Sequence, residues 1–210
     1  MEYLFIIGYA ATLFYFTVTD RVKKYIMLLF FQGVILSGIT FFHLTGMETI
    51  NMIFIIFETV AVKAFIIPLF LMKIRKRNNI VRLSEKTIPA HYSLVIVFIV
   101  IISSFLLSNT LQDLAFIHTK YFSIAIAAFF AGLYFIIIHK NVFMNLIGYM
   151  IIENGVFLLS LAVSQEKPIL IDMAILMDLL AGVMILGMFI NHIGNTFKSA
   201  SSEYLTQLKE

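Results

Sequence analysis

Apolar runs of about 17 to 24 residues recur along the chain, and this is the length that a helix needs to cross a bilayer. Of the 210 residues, 61% are hydrophobic and only 13% are charged, which is more apolar surface than a soluble domain of this size needs. A membrane β-barrel would instead alternate apolar and polar residues with a period of two. The sequence therefore predicts an all-α, polytopic membrane protein.

Seven transmembrane helices are predicted, with short connections and one long polar segment between them. They cover residues 3–19, 25–43, 52–72, 92–108, 121–138, 142–163 and 169–192. This pattern divides the chain into an N-terminal three-helix unit (1–72), a basic loop with a linking fourth helix (73–120), a second three-helix unit (121–192) and a polar tail (193–210). The first residues carry no basic segment and no small-residue cleavage pattern, so we expect the first helix to be retained rather than removed as a signal peptide.

The basic residues are sorted between the two ends of the predicted helices. Apart from Lys63, twelve of them fall on one side, whereas only Lys120 and Lys167 fall on the other. The positive-inside rule then predicts that the N-terminus is outside and the C-terminus is cytoplasmic. This role explains the basic loop, although contact with anionic lipid or a partner stays open. The net charge of +3 is small and gives no reason to expect nucleic-acid binding.

The residue types restrict the cofactors that the chain could hold by itself. It has no cysteine, which excludes disulfides, iron–sulfur ligation and thiol chemistry. The histidines fall at predicted helix ends: His91, His139 and His192 at the cytoplasmic side, and His43 and His118 at the other. A haem with two histidine ligands needs a facing pair within the bundle. We therefore expect interfacial histidines, and no metal or cofactor in this chain.

Three charged residues are predicted at a common depth in the membrane. With a rise of about 1.5 Å per residue, Glu153 lies about 15 Å, Asp178 about 13 Å and Lys63 about 16 Å from the outer helix ends. Glu58 is shallower, at about 9 Å. A charge at the bilayer centre costs several kcal/mol unless it is sheltered, and such residues mark ion paths in many membrane proteins. The alternative is structural, because buried ion pairs can also lock a bundle.

The neighbours of Glu153 strengthen the interpretation as an ion path. Asn145, Tyr149 and Glu153 follow each other at intervals of four residues, which places them on one face of the sixth helix. Asn154 adds a second amide beside the carboxylate. In the third helix, Pro68 cannot donate a hydrogen bond to the carbonyl of Ala64, so we expect the backbone to be locally opened just beyond Lys63.

A possible internal duplication relates the first three helices to the last three. The stretch from Gln32 to Ser37 in the second helix is similar to the stretch from Glu153 to Ser160 in the sixth, and Ile50-Asn51-Met52 before Glu58 is similar to Ile171-Asp172-Met173 before Asp178. In this hypothesis Gln32 replaces the carboxylate of Glu153, whereas Glu58 retains that of Asp178.

The segment from Asn141 to Gly155, with Leu146-Ile147-Gly148 and Glu153 and a following helix with Asp178, resembles subunit K of NADH:quinone oxidoreductase. The whole chain resembles the hydrogenase-4 component E family, the membrane subunits of group 4 nickel–iron hydrogenases and formate hydrogenlyase-type complexes. The matching features are Gly148-Tyr149, Glu153-Asn154-Gly155, Asp172 with Asp178, and the segment from Lys63 to Pro68.

This resemblance implies a non-redox membrane subunit of a redox-driven proton- or sodium-pumping complex in a prokaryotic cell membrane. It implies antiporter-like membrane subunits and a hydrogenase-type peripheral arm as partners, with the nickel–iron and iron–sulfur centres in those partners. Subunit K carries two intramembrane carboxylates, which transfer to Glu153 and Asp178; Asp178 replaces the usual glutamate and has a shorter reach. Lys63 is matched only by component E relatives and not by subunit K. Glu58 is predicted as a further acid of the ion path.

Two alternatives stay open at this point. The chain could be a subunit of a multi-subunit cation/proton antiporter without redox activity, since the C subunit of Mrp-type antiporters is also similar to subunit K. It could also be a structural scaffold that holds antiporter-like partners in register. The four helices that precede the subunit K-like unit favour the component E resemblance over the antiporter subunit.

Overall fold

The computed structural model describes residues 2–43, 53, 55–77, 86–111, 118–163, 176–178, 180–184 and 187–188. The described part is helical apart from short connections. Its six longer helices are α1 (Glu2–Val18), α2 (Val22–His43), α3 (Ile55–Arg77), α4 (Ala90–Thr110), α5 (Thr119–Ile138) and α6 (Val142–Val163). Residues 176–178, 180–184 and 187–188 are also helical, and we call them the C-terminal helix segment.

The all-α prediction is confirmed for the described residues, and the helix bounds lie close to those expected. Five helices, α2 to α6, are long and apolar enough to cross a membrane, and α1 is a shorter apolar helix. The largest difference is in α3, which continues to Arg77 instead of ending at residue 72. Basic residues in the last turn interact favourably with the helix dipole, which supports this extension. The orientation of the termini and the division into units stay predictions.

Small residues bring α5 and α6 close together. A Cβ atom added at Gly148 would lie 2.6 Å from Cγ1 of Ile136, and one added at Gly155 would lie 2.9 Å from the backbone nitrogen of Phe129. Ala128 also lines this contact and is fully buried. Helices in membranes associate through such small residues because they let the backbones approach. The helices α5 and α6 are therefore closely packed, and the other faces of α6 are available to the remaining helices.

The remaining helices surround this pair. The helix α2 packs against α1, α3 and α6, and α1 also packs against α4 and α5. Serines line the buried side of α4, where the hydroxyl of Tyr134 in α5 donates a 2.9 Å hydrogen bond to Oγ of Ser93. The other side of α4 is exposed and apolar. As a result, α6 contacts α5 on one side and α2 on another.

The helix α3 changes its winding along its length. Residues Glu58–Ile66 are π-helical, and the chain is α-helical from Ile67 to Arg77. The N–H group of Ile67 donates to the carbonyl of Val62, five residues earlier. Pro68 has no N–H group, so it cannot continue the ordinary ladder to Ala64. The expected opening of the helix is thus a π-helical segment that precedes Pro68. Such segments are rare and are often found at functional sites.

At the basic side of the protein, Lys86 ties three connections together, in an arrangement that we call the Lys86 clamp. Its Nζ donates hydrogen bonds of 2.9 Å each to the carbonyls of Thr17 and Thr19 and to Oδ1 of Asp20. The backbone of Lys86 pairs with His139, and the N–H group of Thr87 donates to the carbonyl of Ile138 at 3.1 Å. The clamp therefore joins the basic loop to the turns α1–α2 and α5–α6.

His139 lies at a helix end, as predicted, but it is buried beneath this clamp with 2% of its surface exposed. Its Nδ1 lies 2.8 Å from the carbonyl oxygen of Phe135, and the two rings are 4.1 Å apart. Burial lowers the pKa of His139, the hydrogen bond to Phe135 opposes this effect, and the charge of Lys86 adds to the lowering. Burial therefore favours the neutral imidazole over its charged form.

Candidate functional site

The centre of the site is an ion pair between Lys63 in the π-helical part of α3 and Glu153 in α6. Nζ of Lys63 lies 2.5 Å from Oε1 of Glu153, and the two side chains are 1% and 5% exposed. Glu153 is near the middle of the 22 residues of α6, so the pair lies near the centre of the span. Residue counting predicts that Lys63 and Glu153 lie at the same depth, and in the structure the two side chains are in direct contact.

Two residues that were not predicted as site residues, Phe157 and Gly33, lie beside the lysine. The ring of Phe157, one turn beyond Glu153, lies with its centroid 4.3 Å from Nζ of Lys63. A cation–π contact of this kind contributes about 2 kcal/mol when it is desolvated. A Cβ atom added at Gly33 in α2 would lie 2.7 Å from Cα of Ala64. The backbones of α2 and α3 thus touch at the lysine, and Gly33 permits this contact.

A chain of buried hydrogen bonds runs from α6 through α2 to α1. Asn154 donates from Nδ2 to Oε1 of Gln32 at 3.2 Å, and Gln32 donates from Nε2 to Oγ1 of Thr12 at 3.0 Å. Thr12 in turn donates to the carbonyl of Tyr9 at 2.6 Å. Asn154 and Gln32 were predicted as supporting polar residues, whereas Thr12 was not. This polar chain fixes the side of α6 next to Glu153 relative to two other helices.

Asp178 lies apart from the ion pair and contacts Tyr149. The hydroxyl of Tyr149 lies 3.1 Å from the carbonyl oxygen of Asp178 and 3.3 Å from its Oδ2. A Cβ atom added at Gly182 would lie 2.5 Å from the ring of Tyr149, so the C-terminal helix segment rests directly on that ring. Asp178 is exposed, in contrast to Glu153. Of the three charged residues predicted at one depth, Lys63 and Glu153 form a buried pair. Asp178 instead contacts Tyr149, which lies one helical turn from Glu153 on α6.

The two remaining predicted residues lie along the same helices. Glu58 is fully buried in the π-helical segment, five residues before Lys63. Asn145 is half-buried, and its Oδ1 has no hydrogen-bond partner among the described residues. Asn145, Tyr149 and Glu153 therefore form a polar face on α6, as their spacing predicted.

This arrangement can hold and move charge. Within the described ranges, no group of three or more histidine, aspartate or glutamate side chains could hold a metal ion. A carboxylate in contact with an ammonium group inside a membrane can exchange a proton with it or lock the two helices together. Fold and site together define a multi-pass membrane protein with a paired charge at the centre of its bundle.

The chain is similar to known proteins in two comparisons. Residues 120–210 match the family model of NADH-ubiquinone/plastoquinone oxidoreductase chain 4L. This region contains Tyr149, Glu153, Asn154 and Asp178. The chain is also similar to hydrogenase-4 component E of Escherichia coli strain K12, of Escherichia coli O157:H7 and of Shigella flexneri. Each is 26% identical over 149 residues, which cover 70% of this chain and 68% of the relative.

The resemblance drawn from the residues is therefore confirmed by both comparisons. No solved structure gives a significant match to the chain. The family model covers the subunit K-like part, whereas Lys63 and Gln32 lie before it. The ion pair thus joins a residue inside the matched region to one that precedes it.

Proposed function

We propose that this chain is a non-redox membrane subunit of a complex I-like hydrogenase and carries part of its path for protons or sodium ions. The buried contact between Lys63 and Glu153 is the observation that carries this proposal. The similarity to hydrogenase-4 component E and to the chain 4L family supports the kind of complex. Nickel–iron and iron–sulfur centres are expected in partner subunits, which perform the redox reaction.

The pair is suited to proton handling because neither charge is stable alone in this position. Desolvation disfavours the charged form of each side chain, and the opposite charge at 2.5 Å compensates for it. A proton that moves from Lys63 to Glu153 neutralises both groups at once. A charge that arrives nearby changes the balance between these two states. The pair can therefore couple a distant charge movement to proton transfer within the bundle.

Tyr149 provides a connection from this pair to Asp178. It lies one helical turn from Glu153 on α6, and its hydroxyl group contacts Asp178. An exposed carboxylate at this depth would cost several kcal/mol if it faced lipid. We therefore infer that a partner subunit covers Asp178 and provides a cation or a hydrogen-bond donor. An antiporter-like membrane subunit, as expected from the resemblance, is the partner that would continue the path.

The test is the replacement Glu153→Gln in the assembled complex. It removes the titratable group and keeps the shape and one acceptor for Lys63. Proton uptake by inverted membrane vesicles is measured in parallel with hydrogen turnover. We expect proton uptake per turnover to fall at least tenfold. The matched control is Asp20→Asn, the same acid-to-amide change in the Lys86 clamp, and we expect normal proton uptake from it.

Each alternative function predicts a different result. A scaffold would keep normal proton uptake in the Glu153→Gln variant whenever the complex assembles, and this outcome would refute the ion path. A subunit of a cation/proton antiporter would purify without a hydrogenase large subunit and without hydrogen turnover. Identification of the co-purifying chains by mass spectrometry therefore separates the antiporter alternative from the proposal.

A further inference from the structure

Five exposed cations lie at the ends of α2 and α3 on one side of the protein. They are Lys23 and Lys24 in the first turns of α2 and Lys73, Lys76 and Arg77 in the last turns of α3. We call them the basic rim. None of them forms an ion pair with a residue that the structure describes. Their charge is thus available to a partner outside the described chain.

The rim lies at one level because α2 and α3 are antiparallel and touch at Gly33 and Ala64. Nine or ten residues separate Gly33 from the lysines of α2, and nine to thirteen separate Ala64 from the cations of α3, so the rim lies about 14–20 Å from that contact. The contact is at the level of the Lys63–Glu153 pair, near the middle of the span. Because half of the hydrocarbon core is about 15 Å, the rim coincides with the lipid headgroups.

Each helix continues from the rim into an exposed apolar stripe. On α2 the stripe runs from Lys24 through Met27, Phe31 and Val34. On α3 it runs from Phe65 and Leu69 to Lys73 and Lys76, with steps of three or four residues that keep one helix face. Phe65 also contacts Phe30 of α2, with ring centroids 5.5 Å apart, so the two stripes adjoin.

We propose that this surface binds an anionic phospholipid, with its headgroup on the basic rim and its acyl chains along the stripes of α2 and α3. The combination of charge and apolar length fits an amphiphile better than a water-soluble acidic protein, which would need only the charges. Basic clusters between membrane helices bind anionic headgroups in this way. The proposal does not depend on the proton path, since no residue of the rim belongs to it.

The test measures lipid retention by the full chain in mild detergent with native mass spectrometry. The probes are phosphatidylglycerol and phosphatidylcholine with identical acyl chains. We expect the wild-type chain to retain phosphatidylglycerol preferentially and to lose this preference at high salt. In the double variant Lys73→Gln/Lys76→Gln, retention of phosphatidylglycerol should fall about fivefold for each charge removed.

Two further variants make the result specific. The control Lys120→Gln/Lys140→Gln removes two exposed charges outside the rim and should retain phosphatidylglycerol as the wild type does. The variant Lys73→Arg/Lys76→Arg keeps the charge and should also bind, which excludes misfolding as the cause of a loss. Equal retention of both lipids by the wild type would overturn the proposal, as would an equal loss in the control. Release of a co-purifying acidic subunit with lipid retention unchanged would identify a protein contact instead.

Discussion

Among the residues that the structure describes, two lysine–carboxylate pairs have opposite surroundings. Lys63 and Glu153 are 1% and 5% exposed and meet near the centre of the span. Lys86 and Asp20 are 11% and 79% exposed and meet at the end of α1. In the clamp, the ammonium group keeps two of its three acceptors, both backbone carbonyls, when Asp20 is removed. The same chemical pair is therefore a replaceable surface contact in one place and a costly, specific arrangement in the other.

The difference between the two ion pairs indicates that the buried pair is the better candidate for a functional role. An exposed ion pair contributes only about 0–1 kcal/mol, so its loss is tolerated. A buried pair often stabilises a protein no more than apolar residues of the same volume would, yet removal of one partner is strongly destabilising. Stability alone therefore does not explain why α3 and α6 bring two charges together in an apolar bundle. The proposed proton transfer offers another explanation, and the following variants separate it from stability.

The largest effect is expected when the buried pair loses one member. Lys63→Met leaves Glu153 without its cation, and we expect a loss of about 3–5 kcal/mol in the free energy of unfolding. The double variant Lys63→Met/Glu153→Leu should recover most of this stability because no charge stays buried. Unfolding in detergent and proton uptake by the complex are measured for both. A double variant that is stable and still transports protons would show that the pair is only a lock.

A smaller effect is expected from the glycine that allows α2 to approach α3. At Gly33 a Cβ atom would meet backbone atoms of Ala64 at 2.7 and 2.8 Å, so Gly33→Ala must separate the two helices. We expect a loss of about 1–3 kcal/mol and slower proton transport, since Lys63 moves with α3. Gly8→Ala is the matched control, because its Cβ would lie 3.6 Å from Ile35, an ordinary contact. If both variants behave alike, the close approach at Gly33 does not position Lys63.

Residue counting predicted the depth of the charged residues but not the rotation of each helix about its own axis. The apolar runs are long enough to locate the helices, and a fixed rise per residue places Lys63 and Glu153 at one level. Depth does not tell which way a side chain points, so the exposure of Asp178 and the contact between Gln32 and Asn154 were not predicted. Phe157 looked like any other apolar residue of a span. Its role depends on the rotation of α3, which the sequence does not encode locally.

His139 should make the Lys86 clamp sensitive to pH. Burial lowers its pKa in the folded state, so the unfolded chain binds a proton first as the pH falls. Stability is therefore full above the ordinary histidine pKa of about 6.5 and falls below it, by at most about 1.4 kcal/mol per pH unit. The ring of Tyr25 faces His139, with centroids 6.2 Å apart, and Lys86 is the charged group that acts on it. Hydrogen exchange of the Thr87 amide, which bonds to Ile138, reports opening of the clamp. The variant His139→Phe keeps a ring against Phe135 and should remove the pH dependence; identical curves for wild type and variant would contradict this origin.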